Sequence, residues 1–423
     1  MLRDRFMLLH QRIQRDPTFD LSTEAPVGAA AIRKAESQAS IKITSIGSLM
    51  GCEGDRCVFG MLSKSERIET DAHGSRRPVW YLEDAYTKVR ISMEVGAVRS
   101  SGGLITENSV VFAEGRFEDD VFTVHSLGLP PFESRESALA SMKGVNLFGG
   151  KPIQEVKLTA EEEVEMNRLF IVLSDVWLDK PRVVEKLKAV LHGYEQMEPP
   201  PAAFVLMGNF LSQPVGAGNS ELGLETVDGL FAQLAELFNE CPTLKAESKL
   251  ILVPGPADPG PGNVIPRPPL PECFTSTLRQ RLPSVSMSSN PCRIRHGDKH
   301  FVFFREDLMH KMRRNCVVPP EPVEVPDHKH LAKTLLDQGH LCPLPVYQRP
   351  VHWNADHLLM LHPTPHLLVV ADRAARYEAA GLKGAGSTEP TTVMNPGSFP
   401  VNFDFLAYTP ANAQVDICTV PDA

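Results

Sequence analysis

The chain has 423 residues, 42% hydrophobic and 22% charged, proportions of a globular protein long enough for two or three cores. Its formal net charge of -9 excludes a global basic field for gripping nucleic acid and leaves that task to a local patch or a partner's surface. No apolar stretch approaches the roughly 20 residues of a membrane-spanning helix, and eight scattered cysteines without a C-x-x-C read as reduced, mostly buried thiols, with no zinc site made by this chain alone.

The opening "MLRDRFMLLHQRIQRD" reads as a helix. It has the arginines of a targeting peptide, but Asp4 and Asp16 oppose that function and there is no signal-peptide core. Residues 1–40 are therefore expected to be a helical lead-in ending in the small-residue linker "TEAPVGAAAIRKAESQAS". From 41 to 131 short strands follow one another: "ITSIGSLM", "RCVFGMLS", "PVWYLED", "KVRISMEV", "SVVFAEGRFED" and "VFTVHSLGL". The last two meet across "EDD", residues 118–120, which reads as a tight hairpin. Such strands fit a small all-β barrel of the OB type, with a β-sandwich fragment as the alternative. In this stretch Trp80 and Tyr81 could stack bases, although Glu83 and Asp84 nearby favour core packing or a protein contact.

After a loop rich in Ser, Gly and Pro (130–152), within an expected linker at 132–158, strands and helices alternate over 159–423. Thr159 and Glu162 spell a capping box. Pro181 suits a first helical turn, and Val183, Val184, Leu187, Val190 and Leu191 share one helical face. Strands are expected at 169–173, 202–209, 249–255, 300–306, 366–372, 403–408 and 415–420, and a helix faces inward through Leu230, Phe231, Leu234, Leu237 and Phe238. The functional edge of such a domain lies at its C-terminal strand ends: Ser-Asp at 174–175, Gly-Asn at 208–209, Pro-Gly-Pro at 254–256 and Ala-Asp at 371–372. The proline-rich "VPGPADPGPGNVIPRPPLP" (253–271) follows a strand and carries apolar residues, so a packed loop is expected rather than a flexible linker.

Several stretches resemble, in order, the B-subunit family of eukaryotic replicative DNA polymerases: "FIVLSDVWLDKPRVVEKL", "FVLMGNFLSQP", "LILVPGPADPGPGNVIPRPPLP", "NPCRI", "VFFREDLMHKMRRNC", "LLVVADR" and "MNPGSFP". The spelling is that of the epsilon branch, and "VFAEGRFEDDVFTVHSLGLPP" looks like that family's closing barrel strands. The resemblance covers roughly residues 1–410. It implies an OB barrel joined to an α/β domain of the calcineurin-like phosphoesterase fold, a β-sandwich with flanking helices. It also implies a non-catalytic scaffold in the nucleus that binds the C-terminal zinc-bearing region of the polymerase epsilon catalytic subunit and other replisome subunits. DNA contact would be weak or made through the complex. The epsilon branch carries a helical domain ahead of the barrel, which this chain starts too late to hold.

The fold implied by the resemblance has a dinuclear metal site, and each of its motifs is altered here. Asp-x-His reads Asp175-Val176-Trp177, and an indole N–H only donates. Gly-Asp-x-x-Asp reads Gly208-Asn209-Phe210-Leu211-Ser212, with a neutral amide in place of the bridging carboxylate. Gly-Asn-His-Asp reads Gly255-Pro256-Ala257-Asp258, and Gly-His-x-His reads Ala371-Asp372-Arg373-Ala374. An isolated histidine motif would fall near "FFREDL" (303–308), which has none. Paired cations need oxygen or imidazole ligands and a bridge, so a lost metal site, no cofactor and no catalysis are expected.

Two other functions are weighed against the scaffold: a metal-dependent phosphoesterase with atypical ligands Asp175, Asp258 and His362, and a single-strand binder working through the barrel. His328, His330, His352, His357, His362 and His366 have no second ligand pair and read as surface or strand-edge residues. The basic "HKMRRN" (310–315) reads as a solvated helix face in preference to a phosphate contact. No G-x-x-x-x-G-K-[ST] loop supports ATP hydrolysis.

Overall fold

The computed structural model describes residues 1–21, 40–70, 76–94, 96–143, 145–146, 148, 159–215, 223–261 and 264–421. Most of the small-residue segment 23–40, the later part of 132–158 and residues 262–263 of the proline loop lie outside them.

The first half is built from β1 (Phe19–Asp20), β2 (Ile41–Thr44), β3 (Asp55–Thr70), β4 (Arg76–Glu83), β5 (Lys88–Ser92), β6 (Arg99–Ser100), β7 (Val110–Glu118) and β8 (Val121–Gly128). Strands β3, β4 and β5 pair antiparallel, β5 pairs parallel with β8, β8 antiparallel with β7, and β7 returns to β3, which closes the sheet into a barrel. The period of two places Val58, Leu62, Leu82, Ile91, Val111, Phe122 and Val124 inside. The expected hairpin is present: Asp119 and Asp120 have φ of 49° and 61°, left-handed at both central positions, the twist that suits a two-residue connection. A Cβ on Gly115 would stand 2.0 Å from the Thr123 carbonyl oxygen, at the register shift that lets β7 bend around the barrel.

The second half holds two facing sheets. Strands β9 (Phe170–Ser174), β10 (Ala203–Met207), β11 (Lys249–Val253) and β12 (Ser286–Met287) run parallel in the first. The second contains β13 (Cys292–His296), β14 (Lys299–Arg305), β15 (Leu367–Ala371), β16 (Tyr377–Leu382) and β17 (Thr391–Asn395), with β14, β15 and β17 parallel and β13 and β16 as antiparallel edges. The chain then returns to the first sheet, where β18 (Asp404–Thr409) runs antiparallel to β9 and β19 (Gln414–Thr419) forms the edge. Alternation decides which layer each side chain enters. Phe170, Val172, Val205, Phe303, Val369 and Leu406 meet between the sheets. Ile171, Leu173, Phe204 and Leu206 point outward under the helices Pro181–Glu195 and Leu224–Asn239. On the far side Val302, Phe304, Leu368 and Val370 lie under the helices Met309–Arg314 and Asp327–Gln338. The result is a sandwich with helices on both faces.

The capping box at Thr159 and Glu162 and the first-turn Pro181 are both present. Where a loop was expected after the barrel, residues Arg135–Ser141 form a helix. Its N-terminus is capped by the Ser134 side chain, and Ala138 is buried. Arg135 docks this segment on the sandwich by donating to the Thr364 carbonyl at 2.8 Å. The proline loop is packed in its described part: Ile265, Pro266, Arg267 and Leu270 are buried, and the Ile265 N–H donates to the Pro350 carbonyl.

The opening helix, Leu2–Arg15, joins the halves. Phe6, Leu9 and Ile13 pack on the barrel against Phe59, Met61 and Val110. Arg5, Arg12 and Arg15 face the other way. Arg12 donates to the Pro130 and Asp337 carbonyls, Arg15 grips Glu133, and Arg5 binds the carboxylate of Asp356. Gln338 fixes the same seam, accepting from Val110 N–H and donating to Val110 C=O, each at 2.8 Å. His340 Nε2 stands 3.3 Å from Asp356 Oδ1, and its Nδ1 accepts from the Cys342 N–H, so the ring is the neutral Nε2–H tautomer. Burial, and then the nearby Arg5, push its pKa down to about 4. Unfolded, it takes a proton near 6.5. The unfolded chain thus binds more protons between those values, and the stability present above 6.5 is lost as pH falls toward 4. Acidification from pH 7.5 to 4.5 should cost about 3 kcal/mol through this residue. Unfolding free energies from urea titrations at the two pH values should converge by that amount in His340→Gln; an unchanged pH dependence would disprove the assignment.

Candidate functional site

The C-terminal ends of both sheets meet at one edge of the sandwich, and the short loops after β9, β10, β11, β14 and β15 converge there. Asp175, directly after β9, is buried with φ of 59°, and its N–H donates to Met207 C=O, which turns the carboxylate under β10. Asp175 Oδ1 accepts from Asn209 N at 2.8 Å, Asn209 Nδ2 at 3.2 Å and Arg305 Nη2 at 2.9 Å. Asn209 Oδ1 in turn accepts from Ala257 N at 2.8 Å.

Asp258 sits beneath Gly208, accepting from Phe210 N at 2.6 Å and Gly255 N at 2.7 Å. Burial raises its pKa to about 6 against the pull of those N–H groups. Arg267, from the proline loop, donates to the Pro256 and Asp258 carbonyls at 3.1 and 2.8 Å and holds that turn closed. Asp372, after β15, accepts from Leu308, Met309 and Ala374 N–H groups, and burial raises its pKa also.

The sequence-marked positions therefore divide. Asp175, Asn209 and Asp258, with the backbone of Pro256 and Ala257, form one bonded network, and Asp372 belongs to the neighbouring loop. Trp177 packs against the apolar cluster under the outer helices. Ser212 is bound to Asp179 at 2.5 Å, away from that network. Of Ala374 only the backbone takes part. His362 lies 3.4 Å from Glu133 and precedes the start of β15, whereas Asp175 neighbours the opposite end of that strand through Arg305. The atypical ligand set of Asp175, Asp258 and His362 is thus not assembled. Among the described residues no group of three or more His, Cys, Asp and Glu side chains could hold a metal ion.

Three central side chains escaped the sequence reading. Arg305, at the end of β14, is fully buried. It donates through Nε to Gly208 C=O at 2.7 Å, through Nη1 to Asp307 at 2.8 Å and Ala371 C=O at 3.2 Å, and through Nη2 to Asp175. Asn290 ties Pro254 C=O to both backbone groups of Arg305. Asn395 accepts from Asp372 N and Gly397 N. The available signal was a charged residue closing the apolar run "HFVFFR", and an Asn-Pro pair at each of 290 and 395.

A model of the DNA polymerase alpha/epsilon B-subunit family matches residues 170–379. A second, described as the DNA polymerase epsilon subunit 2-like OB-fold domain, matches residues 1–131. The DNA polymerase epsilon B-subunit of Arabidopsis thaliana is 38% identical, over 99% of this chain and 75% of the relative. The chain belongs to the polymerase epsilon B-subunit family. Human DNA polymerase epsilon subunit 2 is 37% identical over 98% of this chain and 74% of its own length, and the Saccharomyces cerevisiae B-subunit is 25% identical over 97% and 67%.

The OB-fold expected at the N-terminus of this member of the polymerase epsilon B-subunit family stands. Trp80 packs against the barrel core, and Lys88 lies over the Tyr81 ring at 5.1 Å. The histidines differ from expectation. His352 and His357 are exposed and His328 stacks on Tyr377, but His330 and His366 are buried. His330 accepts from Gly103 N across the seam, and His366 from His300 N at the foot of β15. In the basic cluster Lys311 bonds Glu306, while His310, Arg313 and Arg314 are exposed. All eight cysteines are free, but Cys273 is exposed and only Cys241, Cys292 and Cys342 are fully buried. Among the described residues no helix is long and apolar enough to cross a membrane.

Proposed function

We propose that the chain is a non-catalytic accessory subunit of a DNA polymerase epsilon complex. It scaffolds the catalytic subunit through that partner's C-terminal zinc-bearing region, contacts other replisome subunits, and works in the nucleus. Its organisation is an OB-fold domain at 41–131 behind a helical lead-in, a linker at 132–158, and at 159–423 a calcineurin-like phosphoesterase fold that has lost its metal site. The sandwich with helices on both faces and the convergence of its strand ends support that fold. Near-full-length kinship with polymerase epsilon subunits supports the role.

The observation that carries the non-catalytic part is the chemistry at the strand ends. A carboxylate at 175 is bound by an arginine, an amide stands at 209, and the carboxylates of Asp258 and Asp372 are turned onto backbone N–H groups. None of the positions matched to the metal-site motifs offers an imidazole, and Trp177 faces the helical core. The mechanism is surface burial between folded domains, on the scale of permanent complexes. The hydrogen-bonded seam between barrel and sandwich would present both halves together to such a partner.

Affinity purification of the protein from its native nuclei, followed by mass spectrometry, tests this role. A large polymerase subunit should come along in near-stoichiometric amount and withstand moderate salt. Recovery of the chain alone at every salt concentration would overturn it.

A further inference from the structure

We infer that Arg305 is a covalently held substitute for the metal charge at the strand ends, joining the two sheets where a phosphoesterase of this fold would place its cations. The inference rests on the calcineurin-like reading of the second half. Cations at such a site need several carboxylate or imidazole lone pairs facing one space, with one ligand shared. The residues here do not fit that need, because their acceptors already face hydrogen-bond donors of the protein. Asp175 Oδ1 takes the guanidinium and both nitrogens of Asn209. Both oxygens of Asp258 take backbone N–H groups, as do both oxygens of Asp372. Asn209 turns its oxygen to Ala257 N.

What fills the junction is the guanidinium itself. From β14 it reaches Asp175 after β9, the Gly208 carbonyl after β10 and the Ala371 carbonyl at the end of β15. It therefore bonds both sheets at once, as a bridging cation would, and its planar fork satisfies several acceptors in fixed directions. The charges match: Arg305 and Arg373 face Asp175 and Asp307. Burial alone would lower the guanidinium pKa, but Asp175 and Asp307 raise it above its ordinary value, so the group stays charged at every pH at which the protein folds. The packing of these loops is then independent of divalent cations.

The test measures thermal unfolding of the full chain with EDTA and with added MnCl2, alongside metal analysis of the protein as purified. Wild type should be metal-free, with the same Tm under both conditions. Arg305→Ala should unfold at markedly lower temperature and should not recover on adding Mn²⁺, because the remaining acceptors still face protein donors. Should Arg305→Ala not fold, Arg305→Lys and Arg305→Met decide the matter: lysine keeps the charge and should retain more of the wild-type Tm than methionine. Equal losses in those two would reduce Arg305 to a packing residue and overturn the inference while leaving the lost metal site intact. Stoichiometric metal in wild type, whose removal by EDTA lowers Tm, would overturn both.

Discussion

Gly208→Ala should leave little folded protein, with a loss of about 3 kcal/mol or more in unfolding free energy. A Cβ at 208 would stand 1.9 Å from Asp258 Oδ2 and 2.4 Å from Gly255 N. Neither neighbour can withdraw. Asp258 is tied by the N–H groups of Phe210 and Gly255, and Gly208 itself donates to Val253 C=O at 2.8 Å, so β10 and β11 cannot part without losing that bond. Gly255 faces it in the same way, its missing Cβ falling 2.6 Å from Asn209 Oδ1. Overpacking in a core costs typically about 1–3 kcal/mol when flexible side chains can yield; here the clash is with backbone and a bound carboxylate. Urea titration against wild type measures the difference, and a loss below about 1 kcal/mol would contradict the close approach. The two glycines answer to backbone contact rather than ligand chemistry, so their place in a metal-site motif and their structural need are separate matters.

The strands whose both faces are buried were legible because they are continuous apolar runs: "FIVLS", "AFVLM", "KLILV" and "LLVVA" can lie only between two layers. Strand β17, "TTVMN", is equally buried yet was missed, since two threonines and a closing asparagine hide it; the Thr391 hydroxyl and the Asn395 amide oxygen are bonded to partners outside the strand. Strands β13 and β16 were missed because short, half-polar edges carry little periodicity. At the site, motif comparison located Asp175, Asn209 and Asp258 but looked only for ligands that were gone. Arg305 was visible as the charged end of "HFVFFR", and an arginine delivered by a buried strand requires a carboxylate. Which carboxylate it meets depends on a contact 130 positions away in sequence, and no local pattern encodes that. The buried His330 and His366 escaped for the same reason, each being matched by a backbone N–H from another element.

The next residue in the same strand end makes a second large effect expected. Glu306 and Arg349 are both fully buried and 2.6 Å apart, with Lys311 on the other carboxylate oxygen at 2.5 Å. Together they fix the 345–350 segment and the helix Met309–Arg314 to the end of β14. Glu306→Met removes the carboxylate that Arg349 Nη2 bonds and should cost about 3–5 kcal/mol, the usual result of breaking a buried ion pair. Arg349→Met should cost less, because the half-buried Lys311 remains to hold Glu306. The double variant Glu306→Met with Arg349→Met removes both charges at similar volume and should recover most of the loss, since a buried ion pair gains little over good apolar packing. Urea unfolding of the four proteins gives the coupling energy directly. Additive losses would mean that the two side chains act independently, and the strand-end loops would then be held by Arg305 and Asn290 without them.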